Sequence, residues 1–156
     1  MQSALKRESF AEERLKALEK VDGIKHMRLL YLYPSEITNE FVAFMKTSKK
    51  VYPYFDIPLQ HVDERILKLM NRKGSHAQTE KLLNKIKREI PNAIFRTTMM
   101  VGFPGETEAS FNKLLKFIKK FKFDHLGSFT YSREEKTRAY GLPTHGAEKV
   151  KKKRKD

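Results

Sequence analysis

Cysteine is absent from all 156 residues. The chain's own side chains therefore supply no disulfide, no thiolate nucleophile and no iron–sulfur ligand. Long apolar runs are missing too. No stretch is long enough to span a bilayer, and the first residues lack the charged-then-apolar plan of a signal peptide. The expected compartment is the cytoplasm, with no membrane partner. Acid is scarce: 19 Asp and Glu stand against 33 Lys and Arg, a net charge of +14 at pH 7. That imbalance favours polyanion partners such as RNA or the ribosome, through phosphate neutralisation. The competing reading is a solvated helix surface. There is no P-loop, no dinucleotide-binding glycine pattern, no hydrolase-like Ser/His/Asp order and no internal repeat.

What is present suffices for one domain with a core, since 39% of the residues are hydrophobic. The organising stretch runs from Asn92 to Thr107, N-A-I-F-R-T-T-M-M-V-G-F-P-G-E-T. Its first half is rich in β-branched and aromatic residues that suit a pleated surface. The continuous apolar run that follows predicts a strand covered on both faces. Gly102-Phe103-Pro104-Gly105 stops the strand, and Glu106-Thr107 opens a helix whose stripe is Phe111, Leu114, Leu115, Ile118 and Phe121. Strand, Gly/Pro loop and helix make half of a βαβ unit, and ligands of such units sit at the strand's carboxyl end. A tight βα turn without a ligand is the bland alternative.

Around this unit the pattern alternates. Helical spacing covers Phe10–Val21, and M-R-L-L-Y-L-Y (27–33) predicts a buried strand closed by Pro34-Ser35. A helix over about 38–45 leads to a second strand, V-Y-P-Y-F-D-I-P-L (51–59), ending in Gln60-His61. Asp63 caps the next helix, another spans about 79–89, and F-D-H-L-G-S-F-T-Y (123–131) is a fourth strand. Alternation of this kind predicts an α/β fold with about four parallel strands flanked by helices. Four strands cannot close a barrel that takes about 250 residues, so the expectation is a partial TIM-like (β/α) barrel. Residues 1–9 form a polar N-terminal segment, 10–135 the partial barrel, and 136–156 a basic tail expected to be disordered. The run 149–155 carries six cations.

The strand ends hold the candidate chemistry. Gln60 both donates and accepts hydrogen bonds. His61 is a possible acid, base or metal ligand, though no second ligand stands at metal spacing and a histidine ending a strand is more often structural. Arg96, a cation in an apolar strand, must pair internally with Asp56 or Glu106, or hold an anionic group by bidentate bonds. Glu106 follows the glycine loop, and Tyr131, Ser132 and Arg133 end the fourth strand.

Together, Y-F-D-I-P-L-Q-H (54–61), M-N-R-K-G-S (70–75), R-T-T-M-M-V-G-F-P-G-E-T (96–107) and F-D-H-L-G-S-F-T-Y-S-R-E-E (123–135) resemble the radical SAM methylthiotransferases. The nearest branch is the one that modifies an aspartate of a ribosomal small-subunit protein. The resemblance covers roughly residues 10–145 and implies S-adenosylmethionine as cofactor, with 4Fe-4S clusters in the full-length enzymes. It implies that Gly102, Phe103, Gly105 and Glu106 support the cofactor's adenosine, and that Gln60 and Arg96 hold its ribose or methionyl part. His61, Tyr131, Ser132 and Arg133 would line the substrate side of the same mouth. The implied partner is a ribosomal small-subunit protein or the ribosome, with RNA contact through the basic faces.

The departures are as informative. The family's C-x-x-x-C-x-x-C loop, its amino-terminal cysteine domain and its TRAM domain have no counterpart in these residues. Lys136-Thr137-Arg138-Ala139 stands where the family shows a Gly-Thr-Pro-Ala-like run. The expectation is the carboxyl-terminal half of the radical SAM barrel, catalytically inert alone: a truncated or split gene product, an excised fragment, or a partner completed by another chain. Two other readings stay open. One is a basic, non-catalytic RNA- or ribosome-binding module. The other is a half-barrel from a different TIM-like enzyme, with Gln60 and Glu106 at an unrelated substrate.

Overall fold

A computed structural model describes residues 12–156. Residues 1–9 and Phe10, the start of the first expected helix, lie outside the described residues. Helix α1 is seen from residue 12 to 19, and of its stripe Leu15 is buried while Leu18 is exposed. The further elements are α2 (Asn39–Thr47), β1 (Tyr54–Asp56), α3 (Glu64–Leu69), α4 (His76–Glu89), β2 (Ile94–Val101), α5 (Glu108–Phe121), β3 (His125–Thr130) and α6 (Glu148–Lys155), with short 3-10 turns at Pro34–Glu36 and Arg138–Gly141.

The three strands form one parallel sheet in the order β1-β2-β3. Asp56, Arg96 and His125 are aligned across it. This is the partial (β/α) barrel, with three strands where four were expected. The 27–33 segment makes one parallel bridge, Met27 to Val51, and Leu32 N–H reaches Asp56 O at 2.8 Å. Between them Tyr31 takes a left-handed conformation, φ 59°. That kink breaks the two-residue alternation a ladder needs, so the segment borders β1 without becoming a strand. β1 is short for a related reason: Pro53 and Pro58 have no N–H to donate. The chain nevertheless tracks β2 beyond it, with Gln60 N–H to Thr98 O at 2.9 Å and Met100 N–H to Gln60 O at 2.8 Å.

Side-chain capping sets the helix starts. Thr38 Oγ1 accepts from Phe41 N–H, and Asp63 Oδ1 from the N–H groups of Arg65 and Ile66. Ser75 and Gln78 form a capping box, which starts α4 at His76 rather than near Thr79. Thr107 and Ser110 cap α5 in the same way.

The core lies between the sheet and the helices. Phe95, Thr97, Met99 and Val101 of β2 are buried against Phe55, Ile57, Leu83, Ile86 and Leu114. Their neighbours Arg96, Thr98 and Met100 point to the opposite, half-buried face. β2 is therefore covered on one face and not on both, because three strands curve too little to enclose the lumen. A smaller cluster, Ile66, Phe103 and Tyr131, sits at the strand ends.

The basic run expected to be disordered is helical. Lys151 and Arg154, three residues apart, share one face of α6. Lys151 is only 3% exposed, and its Nζ donates to Tyr131 O at 3.2 Å and to Glu148 at 2.7 Å. Arg154 pairs with Glu106 at 2.7 Å and with Glu108 at 3.0 Å. Acids from another element compensate the repulsion that the run shows in isolation.

Met99 is 1% exposed at the centre of this core. Met99→Ala is expected to lower the urea midpoint by the equivalent of about 3 kcal/mol with an unchanged slope. Lys116→Ala, on the exposed face of α5, is expected to stay within about 0.5 kcal/mol.

Candidate functional site

A cavity of about 350 Å³ opens on the half-buried face of the sheet at the strand ends. Its walls include Tyr33, Gln60, Arg72, Arg96, Thr98 and Phe129. Alternation brings Arg96 and Thr98 of β2 onto this face, and Phe129, aligned with Met100, joins them from β3. Gln60 enters from the end of β1 in a left-handed conformation, φ 68°, that departs from the strand geometry before it. Its Oε1 is buried and, among the described residues, has no hydrogen-bond partner. A buried acceptor left unmatched costs stability, so such an atom marks a place built for a donor.

Arg96 makes one of the internal pairs expected of it, the one with Asp56. One guanidinium nitrogen bonds Asp56 Oδ2 at 3.2 Å, while the side chain stays 41% exposed along the cavity. Asp56 is fully buried and also accepts from Tyr31 N–H at 3.4 Å, and its Oδ1 has no partner among the described residues. Among the described residues Asp56 thus holds one arm of the fork.

The Gly102–Glu106 loop follows β2, and none of its residues borders this cavity. Gly102 and Gly105 have φ of 73° and 85°, which favours glycine strongly. A Cβ at Gly102 would overlap the Lys151 stem, and one at Gly105 would lie 3.3 Å from both Arg65 and Leu69. The Glu106 side chain is 1% exposed. Its Oε1 faces His61 Nε2 at 3.1 Å, and its Oε2 accepts from Gly102 N–H at 2.6 Å and Arg154 at 2.7 Å. His61 Nδ1 accepts from Asp63 N–H at 2.9 Å, which puts the ring's proton on Nε2, donating to Glu106. Burial pushes the Glu106 carboxyl up, but the bonds from His61, Gly102 N–H and Arg154 outweigh it and hold the group below the ordinary glutamate value.

The expected site residues therefore separate into groups. Gln60 and Arg96 share the cavity wall. Glu106 and His61 turn toward each other inside the fold, although His61 also borders a second cavity beside the first. Phe103 packs edge-on against Tyr131 at 5.2 Å, and the Tyr131 hydroxyl is buried with no partner among the described residues. Ser132 bonds Glu134 at 2.7 Å, and Arg133 stacks on Tyr140 at 4.3 Å. Neither Ser132 nor Arg133 borders the 350 Å³ cavity. Sequence reasoning missed Arg72, Thr98 and Phe129. Thr98 and Phe129 had a usable signal, because Thr98 lies two residues beyond Arg96 and Phe129 falls on the matching face of the next strand. Lys151 and Arg154 were hidden inside a run of like charges.

Glu106→Gln is expected to cost about 3 kcal/mol in urea unfolding at pH 7, by leaving Arg154 and His61 without their carboxylate. Because the folded value of Glu106 is lowered, its contribution is complete above 4.5 and lost as pH falls through the folded value. Acidification is therefore expected to narrow the gap between wild type and E106Q. A gap that stays constant with pH would contradict this arrangement.

Comparison with known proteins bears on what the cavity serves. The model of the Radical SAM superfamily matches residues 3–118. The chain is 49% identical over 144 residues to the ribosomal protein uS12 methylthiotransferase RimO of Clostridioides difficile, covering 92% of this chain and 32% of that protein. It is 48% identical over 144 residues to the protein of the same name from Aquifex aeolicus, covering 92% and 33%. The chain thus spans about a third of the length of these relatives. In fold it resembles the radical S-adenosylmethionine methyltransferase TsrM from Kitasatospora setae, a structure with cobalamin and a [4Fe-4S] cluster bound. The TM-score is 0.60 at 17% identity, over 80% of this chain and 24% of that one. The family match takes in β1, β2, the Gly102–Glu106 loop, most of α5 and every cavity residue named above except Phe129, and this chain belongs to the radical SAM superfamily.

Proposed function

We propose that this chain forms the S-adenosylmethionine-binding part of a methylthiotransferase that modifies an aspartate of ribosomal protein uS12. The observation that carries the reading is the pairing of the unmatched Gln60 Oε1 with the half-free Arg96 fork on one cavity wall. Those groups fit the cofactor's chemistry. Arg96 suits the methionyl carboxylate, Gln60 Oε1 suits an ammonium or ribose hydroxyl donor, and Phe129 offers an aromatic face to adenine. When bound, S-adenosylmethionine supplies the methyl and radical chemistry of the family. The chain's own part is to orient it and to limit water on one side. The Gly102–Glu106 loop and its His61–Glu106–Arg154 cluster hold the strand ends rigid beneath the seat.

The residues do not fit an iron–sulfur cluster. With no cysteine, any cluster thiolate comes from outside these 156 residues, and the chain alone carries out no radical step. The excess of 33 cations over 19 acids suits a protein that works beside ribosomal RNA.

Calorimetric titration of the purified chain with S-adenosylmethionine tests the reading. Binding is expected in the wild type and weakened at least about tenfold in Arg96→Gln, as for loss of a charged hydrogen bond. Gly105→Val is expected to weaken it as well, by pushing the loop against Arg65 and Leu69. Absence of binding in the wild type, with steeply salt-dependent RNA binding instead, would favour a basic non-catalytic module.

A further inference from the structure

The second cavity, of about 390 Å³, adjoins the first, and the two share Tyr33, Pro58 and Arg72 as a common wall. Arg72 is held there firmly. Its N–H donates to Leu67 O at 2.9 Å at the end of α3, and left-handed Asn71 (φ 56°) and Gly74 (φ 84°) bracket its loop. The guanidinium carbon lies 5.3 Å from the centre of the Tyr33 ring. Other cations that pack into this fold have an acid: Arg96 has Asp56, Lys151 has Glu148, and Arg154 has Glu106 and Glu108. Arg72 is half-buried and, among the described residues, makes no ion pair. Glu36 borders the same cavity but does not pair with it.

We propose that Arg72 is a specificity residue that receives the carboxylate of an acidic peptide side chain entering the second cavity. It would hold that side chain against the wall of the first. A planar guanidinium backed by an aromatic ring presents its fork edge outward, and a carboxylate matches that edge with two parallel bonds. The remaining walls favour a peptide over a nucleic acid. Leu59, Leu67 and Met70 offer apolar surface to a chain's methylene and methyl groups, whereas a polynucleotide needs a track of free cations. Only Lys73, exposed at the rim, adds to Arg72 there. The proposal rests on the reading of the first cavity as the cofactor's seat, since only then is a side chain held at the shared wall beside the reacting group.

The test uses the full chain and two fluorescent peptides that differ in one central residue, aspartate or asparagine, read by anisotropy. The aspartate peptide is expected to bind about tenfold more tightly. Arg72→Gln should erase that ratio, and Arg72→Lys, folded and charged but without the fork, should restore only part of it. Lys119→Gln, an equal charge change on the exposed face of α5, should leave the ratio intact, which separates recognition from the attraction of a +14 protein. Equal affinity for the two peptides, no binding of either, or a ratio that survives in R72Q would overturn the proposal. So would an oligouridylate whose binding falls with R72Q while the peptide ratio holds. Calorimetry with S-adenosylmethionine on the same proteins separates the two readings. If the wild type takes no cofactor yet the ratio depends on Arg72, the cofactor reading fails and this one stands. If R72Q loses cofactor while keeping the ratio, Arg72 belongs to the cofactor seat and this inference fails.

Discussion

The buried carboxylate of Glu106 ties the three β/α units together. It accepts from His61, which follows β1, from the Gly102 N–H at the end of β2, and from Arg154 of α6, which follows β3. A parallel sheet of three strands has few hydrogen bonds at its carboxyl end, because each strand leaves there into a loop. One anion with three donors, two from loops and one from α6, substitutes for the missing ladder. The arrangement is tolerable in a nearly dry place only because each oxygen is matched; a carboxylate buried to this extent without donors would take up a proton.

That clamp separates structure from ligand chemistry at a single sheet end. The side chains tied into it are not available to a ligand, while Gln60, next to His61, and Arg96, earlier in β2, face the cavity and are left partly unsatisfied. β2 makes the division possible. Its odd-numbered residues from Phe95 to Val101 are spent on the helical core, and its even-numbered ones face the open lumen. Arg96 sits there without a full desolvation penalty, because the lumen side stays in contact with solvent and Asp56 neutralises one edge of its fork.

The same logic organises the excess positive charge. Lysines on the outer faces of α4 and α5 meet scattered acids such as Glu80 and Asp63, or water. In α6 the cations at the spacing of one helical turn find Glu106, Glu108 and the Tyr131 carbonyl. The helix is therefore docked by two of its charged residues rather than by an apolar stripe. Arg154 also lies 5.2 Å over the Phe111 ring, and Lys151 5.4 Å over Tyr131, so their stems and heads both have partners.

Much of the plan was legible in the amino-acid order. Periodicity located helices α1 to α5 and strands β1 to β3, Asp63 announced a cap, and the absence of cysteine excluded cluster ligation by this chain. These properties are local or compositional, decided by neighbours within one turn or one pleat. Three things were decided only by the tertiary structure. Tyr31 turned left-handed and removed one expected strand, the basic run 149–155 folded, and Glu106 faced inward while Gln60 and Arg96 faced the cavity. Each depends on a partner tens of residues away: Asp56 for Tyr31, Glu106 for Arg154, His61 for Glu106. Charge pairing and burial act through space, so a sequence shows which residues want partners, and only the fold selects which of them find one.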